Sequence, residues 1–531
     1  MTRLRLALTL AGAVSLGAYE GGALAALVHA LRPLLAGDDP PVRIDAIGGA
    51  SAGAMTALLA ARSVLEGLDP VEVMEAAWVN ADSLNGMRSH DTAAPLSIEA
   101  ARALAVGMLD PAGPRSPLRQ RHPVRLSVVA ACLRGLEHQI PALAADPPVR
   151  ASTYLDVFEA TMTAGQSVES LLSPRGRSLV DMILASGANP VGFPPVLIDL
   201  TEACDAYVDE AHITNLPPSL APWYTDGGTL DNEPLGRTLD VVNEIDVDDG
   251  GDFQRVHLLI HPHPTGAPAG DAWADPHREP TWLETLMRSG SLRRAQSLFA
   301  DLEAVEKTNS RLAWTGLLVE RLGGALADLE PAGRGAVLDA LDRVVRTIDG
   351  HGAALLAGRT DAATAAAAMP ATAEARPDAT ATAIVELLDR AVRAAAGLGG
   401  KRPSSVEVIS PLVLAESETT PVQDMLAGDF LLHFGGFMDE ALRRSDFDLG
   451  YQSTLTWLDE GGLARHGLSD ADNTTARAAA RDAYRPGEGW RRYGRSTFGS
   501  LSLLDKLQVA RLVAHMNRVI GHDLLEGRTQ R

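Results

Sequence analysis

The stretch Ile44-Asp45-Ala46-Ile47-Gly48-Gly49-Ala50-Ser51-Ala52-Gly53-Ala54-Met55 holds a G-x-S-x-G pattern between two periodic segments. Ile44 to Gly48 is short and largely apolar, as in a buried strand, and Ser51 to Glu66 has helical spacing. A serine on so sharp a strand-to-helix turn is a nucleophile elbow. Gly49 and Gly53 are small enough to let the chain turn, and the helix that follows offers its positive dipole end to developing negative charge. A tight turn with an idle serine satisfies the same pattern in an alanine-rich chain, so Ser51 needs partners before it means chemistry.

Upstream lies a second strand-to-turn-to-helix segment. Leu4 to Leu10 reads as a strand, and Leu10-Ala11-Gly12-Ala13-Val14-Ser15-Leu16-Gly17-Ala18-Tyr19-Glu20-Gly21-Gly22 as a Gly-rich turn opening a helix that runs to about Leu31. Backbone N–H groups in such a turn can converge into an oxyanion hole. The dinucleotide pattern G-x-G-x-x-G is absent, and Asp45 falls about 30 residues beyond the turn instead of the ~20 that pattern expects. No Gly-Lys-Ser/Thr of a phosphate loop follows. Thr2-Arg3-Leu4-Arg5 ahead of Leu6 to Ala18 also has the outline of a secretion signal. Glycines 12, 17, 21 and 22 would weaken an export helix yet suit a turn, so the strand reading is preferred, and with it a cytoplasmic location. Cys132 and Cys204, too few for a disulfide framework, agree with a reducing compartment.

Further downstream, Val124–Ala131 and Val256–Ile260 read as strands, and Pro70–Val79, Ile98–Leu109 and Leu179–Ala185 as helices. Strand alternating with helix implies a three-layer α/β/α core around a mostly parallel sheet. The expected organisation is a core over 1–270, a helical region over 271–400 with an Ala/Thr-rich flexible insert at about 360–383, and a C-terminal part over 401–531 that packs back on the core. The last part contains one strand, Val406–Val413, and a closing helix, Leu501–Leu525.

With 47 basic against 68 acidic residues the net charge is -21, so a nucleic-acid partner is excluded for want of cations to neutralise phosphate. A polybasic membrane anchor is missing too, and at most weak, transient contact with an anionic bilayer is expected. No apolar, charge-free run of about 20 residues predicts a membrane span. No cofactor or metal is predicted, since His261-Pro262-His263 is half a ligand set without a cysteine or carboxylate pattern beside it.

Two more segments supply partners for Ser51. Tyr224-Thr225-Asp226-Gly227-Gly228-Thr229-Leu230-Asp231-Asn232-Glu233-Pro234-Leu235 sets a carboxylate before two glycines that permit close backbone approach, although Asp-Gly is also ordinary turn chemistry. Ala185-Ser186-Gly187-Ala188-Asn189-Pro190-Val191-Gly192-Phe193-Pro194-Pro195 precedes it. In combination and order the four segments resemble the patatin-like phospholipase family over about residues 4–265, and Leu432–Phe437 and Arg444–Gly450 are similar to a C-terminal segment of its bacterial members. The resemblance implies a lipid-acyl hydrolase acting on a lipid or acyl-ester substrate through a Ser51–Asp226 dyad. It implies backbone oxyanion donors at Gly12, Ala13, Val14 and Ala52, with Gly49, Gly53, Gly227 and Gly228 shaping the turns.

Where the family has consecutive glycines and then a basic residue, this chain has Ala13, Val14 and Leu16. A β-branched Val14 is expected to resist positive φ. Two alternatives stay open: a relative that binds lipid or a partner without turnover, and a Ser–Asp–His triad completed by His261 or His263.

Overall fold

The computed structural model describes the 531-residue chain apart from residues 1–2, 81–86, 88–93, 112, 141–148, 173–177, 204–219, 249–252, 265–276, 280, 357–380, 400, 416–421, 432, 494–502 and 527–531. Cys204 and nearly all of the Ala/Thr-rich stretch lie outside the described residues. Within them, eight strands make one sheet: β1 (Leu4–Leu10), β2 (Val42–Ala50), β3 (Val124–Ile140), β4 (Val149–Met162), β5 (Val196–Leu197), β6 (Trp223–Asp226), β7 (Gln254–Ile260) and β8 (Ser404–Ile409). Their order is β5-β6-β3-β2-β1-β7-β8, with β4 paired to β3. The run β3-β2-β1-β7-β8 is parallel, whereas β4, β5 and β6 join antiparallel.

The helices are α1 (Gly17–Leu35), α2 (Ala52–Glu66), α3 (Pro70–Trp78), α4 (Ile98–Met108), α5 (Val168–Leu172), α6 (Leu179–Ser186), α7 (Leu235–Asp248), α8 (Trp282–Ala327), α9 (Pro331–Leu356), α10 (Ala381–Ala395), α11 (Glu440–Asp459), α12 (Asp470–Ala483), α13 (Gly489–Tyr493) and α14 (Leu503–Glu526). The layering follows from strand alternation. Leu4, Leu6, Leu8 and Leu10 of β1 enter the main core shared with α1 and α2, while Ala7 turns to the other face against Val241 and Val242 of α7. A sheet covered on both faces and read as near-continuous apolar runs is what parallel strands require. Together with the helical C-terminal region, this is the α/β/α architecture expected from the sequence. Helices α8, α9 and α10 close a smaller core of their own around Leu338, Val345, Ile384 and Leu387.

Two strands differ most from the sequence reading. The strand expected to stop at Ala131 continues to Ile140 and forms a long antiparallel ribbon with β4, which the sequence reading omits. Leu133 and Tyr154 stand about half exposed on it, and polar residues such as Arg134 and Glu159 interrupt its apolar pattern, so it does not resemble a buried core strand. The strand expected over Val406–Val413 ends at Ile409, because Pro411 opens a 3-10 turn over Pro411–Leu414 capped by Ser410 Oγ, which accepts the Leu412 N–H.

The apolar segment Val14–Leu35 is long enough to cross a membrane by composition, and 94% of its richest window is buried inside the fold. Part of that burial comes from α11. A β-carbon on Gly22 would lie 1.9 Å from the Phe447 carbonyl oxygen, and one on Gly450 2.0 Å from that of Tyr19, so α1 and α11 touch backbone to backbone. Thr454 Oγ1 donates to the Ala23 carbonyl at 3.1 Å across the same seam, and Tyr451 Oη reaches His29 Nδ1 at 3.1 Å. Gly22→Ala is therefore expected to destabilise the chain by about 3 kcal/mol, the upper end of overpacking costs, because backbone cannot step aside as a side chain can. Urea denaturation of the purified variant checks it.

Candidate active site

Register sets the site. β1 and β2 run parallel with Leu10 opposite Gly49, so the turn after β1 and the turn holding Ser51 leave the same end of the sheet. β3 pairs Val129 with Ala50 on one side and the adjacent Ala130 with Asp226 on the other. Ser51 and Asp226 thus stand level with one another across β3. Ser51 Oγ donates to Asp226 Oδ2 at 3.2 Å, and both residues are buried.

Ser51 takes φ 53° and ψ −123° immediately before α2, a conformation L-residues avoid. Its neighbours must be glycine. A β-carbon on Gly53 would meet the Leu10 and Ala11 carbonyls at 2.6 Å, and one on Gly49 the Gly53 carbonyl at 2.5 Å. Ser186 Oγ accepts the Ser51 N–H at 2.9 Å and steadies the turn from behind.

The carboxylate of Asp226 is held on both oxygens. Oδ1 accepts the Gly228 N–H at 2.8 Å, and Oδ2 accepts Asn189 Nδ2 at 3.1 Å beside the serine hydroxyl. Gly227 lies so close to β3 that a β-carbon would fall 2.1 Å from the Val129 carbonyl. A β-carbon on Gly228 would lie 2.6 Å from Asn232 Oδ1. The tasks of Ser186 and Asn189 are not legible in their segment of sequence; an amide and a hydroxyl beside a Gly-Ala pair before a proline are the only signal it holds.

The first turn departs from expectation at two points. The Gly12 N–H donates to the Asn232 carbonyl at 2.7 Å, and Asn232 Nδ2 donates back to the Gly12 carbonyl at 3.1 Å. Gly12 is therefore a spent donor. Among the described residues the N–H groups of Ala13, Val14 and Ala52 have no acceptor. Val14 adopts φ 52° despite its branched β-carbon, a state that costs about 1–3 kcal/mol and persists only where its surroundings enforce it. Its side chain packs against Met87, Leu96, Phe434, Phe437 and Met438.

Beside Ser51 opens a cavity of about 120 Å³ with almost wholly apolar walls, including Val14, Met55, Leu104, Met108, Phe193 and Phe437. That approaches the ~150 Å³ that accommodates a benzene ring. Of the two aromatic residues before Asp226, Trp223 is half exposed beside Leu197 on the antiparallel edge, and Tyr224 turns inward, its Oη donating to Asp156 Oδ2 at 2.6 Å; neither lines the cavity.

The histidines are engaged elsewhere. His257 is fully buried, and desolvation with the nearby Arg255 charge pushes it down to about 3, so it is neutral. His261 Nδ1 accepts the His263 N–H at 3.1 Å, and its Nε2 lies 3.2 Å from Glu233 Oε1. His263 Nε2 lies 3.6 Å from Asp429 Oδ2, whose Oδ1 is 2.7 Å from His433 Nδ1. Ser51 is bonded to no histidine among the described residues, so the triad has no geometric basis there. No group of three or more metal-ligating side chains converges among them either.

A family model described as patatin-like phospholipase matches residues 8–239, the span from β1 to α7 that carries Ser51, Asp226, Asn189, Ser186 and the turn after β1, while Phe434 and Phe437 of the cavity wall lie beyond it. No curated protein matches the chain.

The Asp429 carboxyl yields a pH prediction. Burial pushes it up, but hydrogen bonds from His263 and His433 outweigh burial and hold it at about 2, against an ordinary 3.8. A lowered carboxylate stabilises the fold fully above its unfolded value, and the gain disappears as pH falls from 3.8 toward about 2. His263 runs the other way: burial lowers it, Asp429 raises it further, and its share is lost as pH climbs through that raised value. Asp429→Asn should therefore flatten both limbs of a plot of urea midpoint against pH.

Proposed function

We propose that this chain, whose residues 8–239 match the patatin-like phospholipase model, is a serine hydrolase of lipid acyl esters working through Ser51 and Asp226. The family is one of lipid acyl hydrolases; the dyad and the substrate assignment are the proposal. The observation that carries it is the 3.2 Å hydrogen bond from a serine hydroxyl, on a strained turn at a helix N-terminus, to a buried carboxylate.

In the acylation step Ser51 Oγ attacks the ester carbonyl while Asp226 Oδ2 takes its proton. The carbonyl oxygen becomes an oxyanion facing the free N–H groups of Ala13, Val14 and Ala52, and the α2 dipole favours charge there. Collapse expels the alcohol, which collects the proton from Asp226 and leaves an acyl-serine. Water then gives a proton to Asp226 and attacks the acyl carbon; the acid departs and Ser51 recovers its hydrogen. Asn189 and Gly228 keep the carboxylate aimed through both halves. The apolar cavity takes the acyl chain, since apart from Ser51 and Asn189 its walls offer a head group no polar side chain. A buried donor–acceptor pair joined by one hydrogen bond also disfavours the reading as a binding protein without turnover.

Ser51→Ala should abolish hydrolysis of p-nitrophenyl butyrate and labelling by a fluorophosphonate probe while circular dichroism stays native. Asp226→Asn should cost about 10³-fold in kcat, within the range for a general base. Asn189→Ala should cost about 10²-fold by letting the carboxylate swing. Wild-type protein that neither reacts with the probe nor hydrolyses any of a panel of acyl esters would return the site to binding alone.

A further inference from the structure

Among the described residues the non-glycine positions with positive φ are Val14, Ser51, Leu431 and His433. Val14 and Ser51 line one cavity and His433 is bonded to Ser15 beside it, though Leu431 and His433 lie some 190 residues beyond the family-matched span. The link between them is Ser15. Its N–H donates to the His433 carbonyl at 3.1 Å, its Oγ–H donates to the same carbonyl, and its Oγ accepts the Gly436 N–H at 3.0 Å. Ser15 is fully buried, and a β-carbon on Gly436 would fall 2.7 Å from Ser15 Oγ, so the two backbones are locked with no room for a substitute.

The far side of this lock is itself anchored. Arg443, on α11, donates through Nη1 to the Gly436 carbonyl at 3.1 Å and through Nε to the Val79 carbonyl at 2.9 Å. Asp446, one turn on, accepts the N–H groups of Ala427 and Gly428 at 2.7 and 2.9 Å, and Asp429 holds His433. Since α11 touches α1 backbone to backbone, the loop over 427–438 is fixed to the same helix that the oxyanion turn opens.

We infer that Ser15 is a positioning residue: through its bridge to His433 and Gly436 it holds Val14 at positive φ and so presents the Ala13 and Val14 N–H groups to the substrate oxyanion. A glycine at position 14 would adopt that conformation unaided; a valine needs a restraint, and the C-terminal loop provides it. The inference rests on the hydrolase reading above, since it assigns a task within that site.

The test uses the full chain with p-nitrophenyl butyrate and a fluorophosphonate probe. Ser15→Ala keeps the backbone bond to His433 but loses the Oγ bridge. Its kcat should fall about ten- to a hundredfold, somewhat less than deletion of a whole oxyanion donor, with KM unchanged and probe labelling slowed in proportion. Adding Val14→Gly to Ser15→Ala should bring kcat back to within about threefold of wild type, because the restraint is then unnecessary. A purely structural role predicts no such rescue. Wild-type kcat in Ser15→Ala, a loss confined to KM, or no recovery in the double variant would overturn the inference. Should Ser15→Ala fail to fold, Ser15→Cys, close to serine in size but a weak donor and acceptor, loosens the same bridge and is judged by the same criteria. Wild-type protein without probe labelling or Ser51-dependent turnover would sink the hydrolase reading itself, an outcome distinct from an active enzyme indifferent to Ser15.

Discussion

A strand that must become a helix within one residue is the constraint on which the structure turns. Ser51 carries the whole reversal in its own backbone, at φ 53°, and nothing with a β-carbon fits at Gly49 or Gly53 while it does so. The reversal lifts a hydroxyl to the end of the parallel strands, where the β1 turn also emerges, and leaves the first N–H of α2 without an acceptor among the described residues. Strain of this kind persists only inside a rigid frame. Here the frame is a sheet filled on both faces, with α2 held against β1, β2 and β3.

Charge inside that frame is arranged by pairing. Arg255, almost wholly buried on β7, reaches Asp45 on β2 at 3.0 Å and also bonds Asp246 at the end of α7. Such buried pairs add little net stability, but removing one partner strands the other, so they fix which elements can neighbour one another. Glu20 is different: it is fully buried with neither oxygen hydrogen-bonded among the described residues, and desolvation, with Glu233 nearby, pushes it well above the usual carboxylate range.

Much of this was legible in the residues. Apolar runs placed β1, β2 and β7, helical spacing placed α2, α3, α4 and α6 to within a residue or two, and the serine and aspartate motifs were visible because glycine is obligatory where backbones approach this closely. The β3–β4 ribbon was not legible, since its residues alternate between solvent and core and its stability comes from cross-strand pairing between segments each unremarkable alone. Val14 was misread for a related reason: intrinsic preference argued against positive φ, and tertiary contacts with the 433–438 loop overrode it.

By itself the sequence determined what is local: a strand, a glycine-bounded serine and a helix in succession, and a carboxylate beside two glycines, because steric exclusion at such turns leaves few residues to choose from. Tertiary structure alone decided which groups meet and which remain free. That Ser51 and Asp226 stand level follows from the register of β2, β3 and β6. That the Gly12 N–H is occupied while those of Ala13 and Val14 are open follows from Asn232, 220 residues away. Hydrogen-bond partners at such separations depend on how the sheet closes around them, and no stretch of chain short enough to read as a motif contains that information.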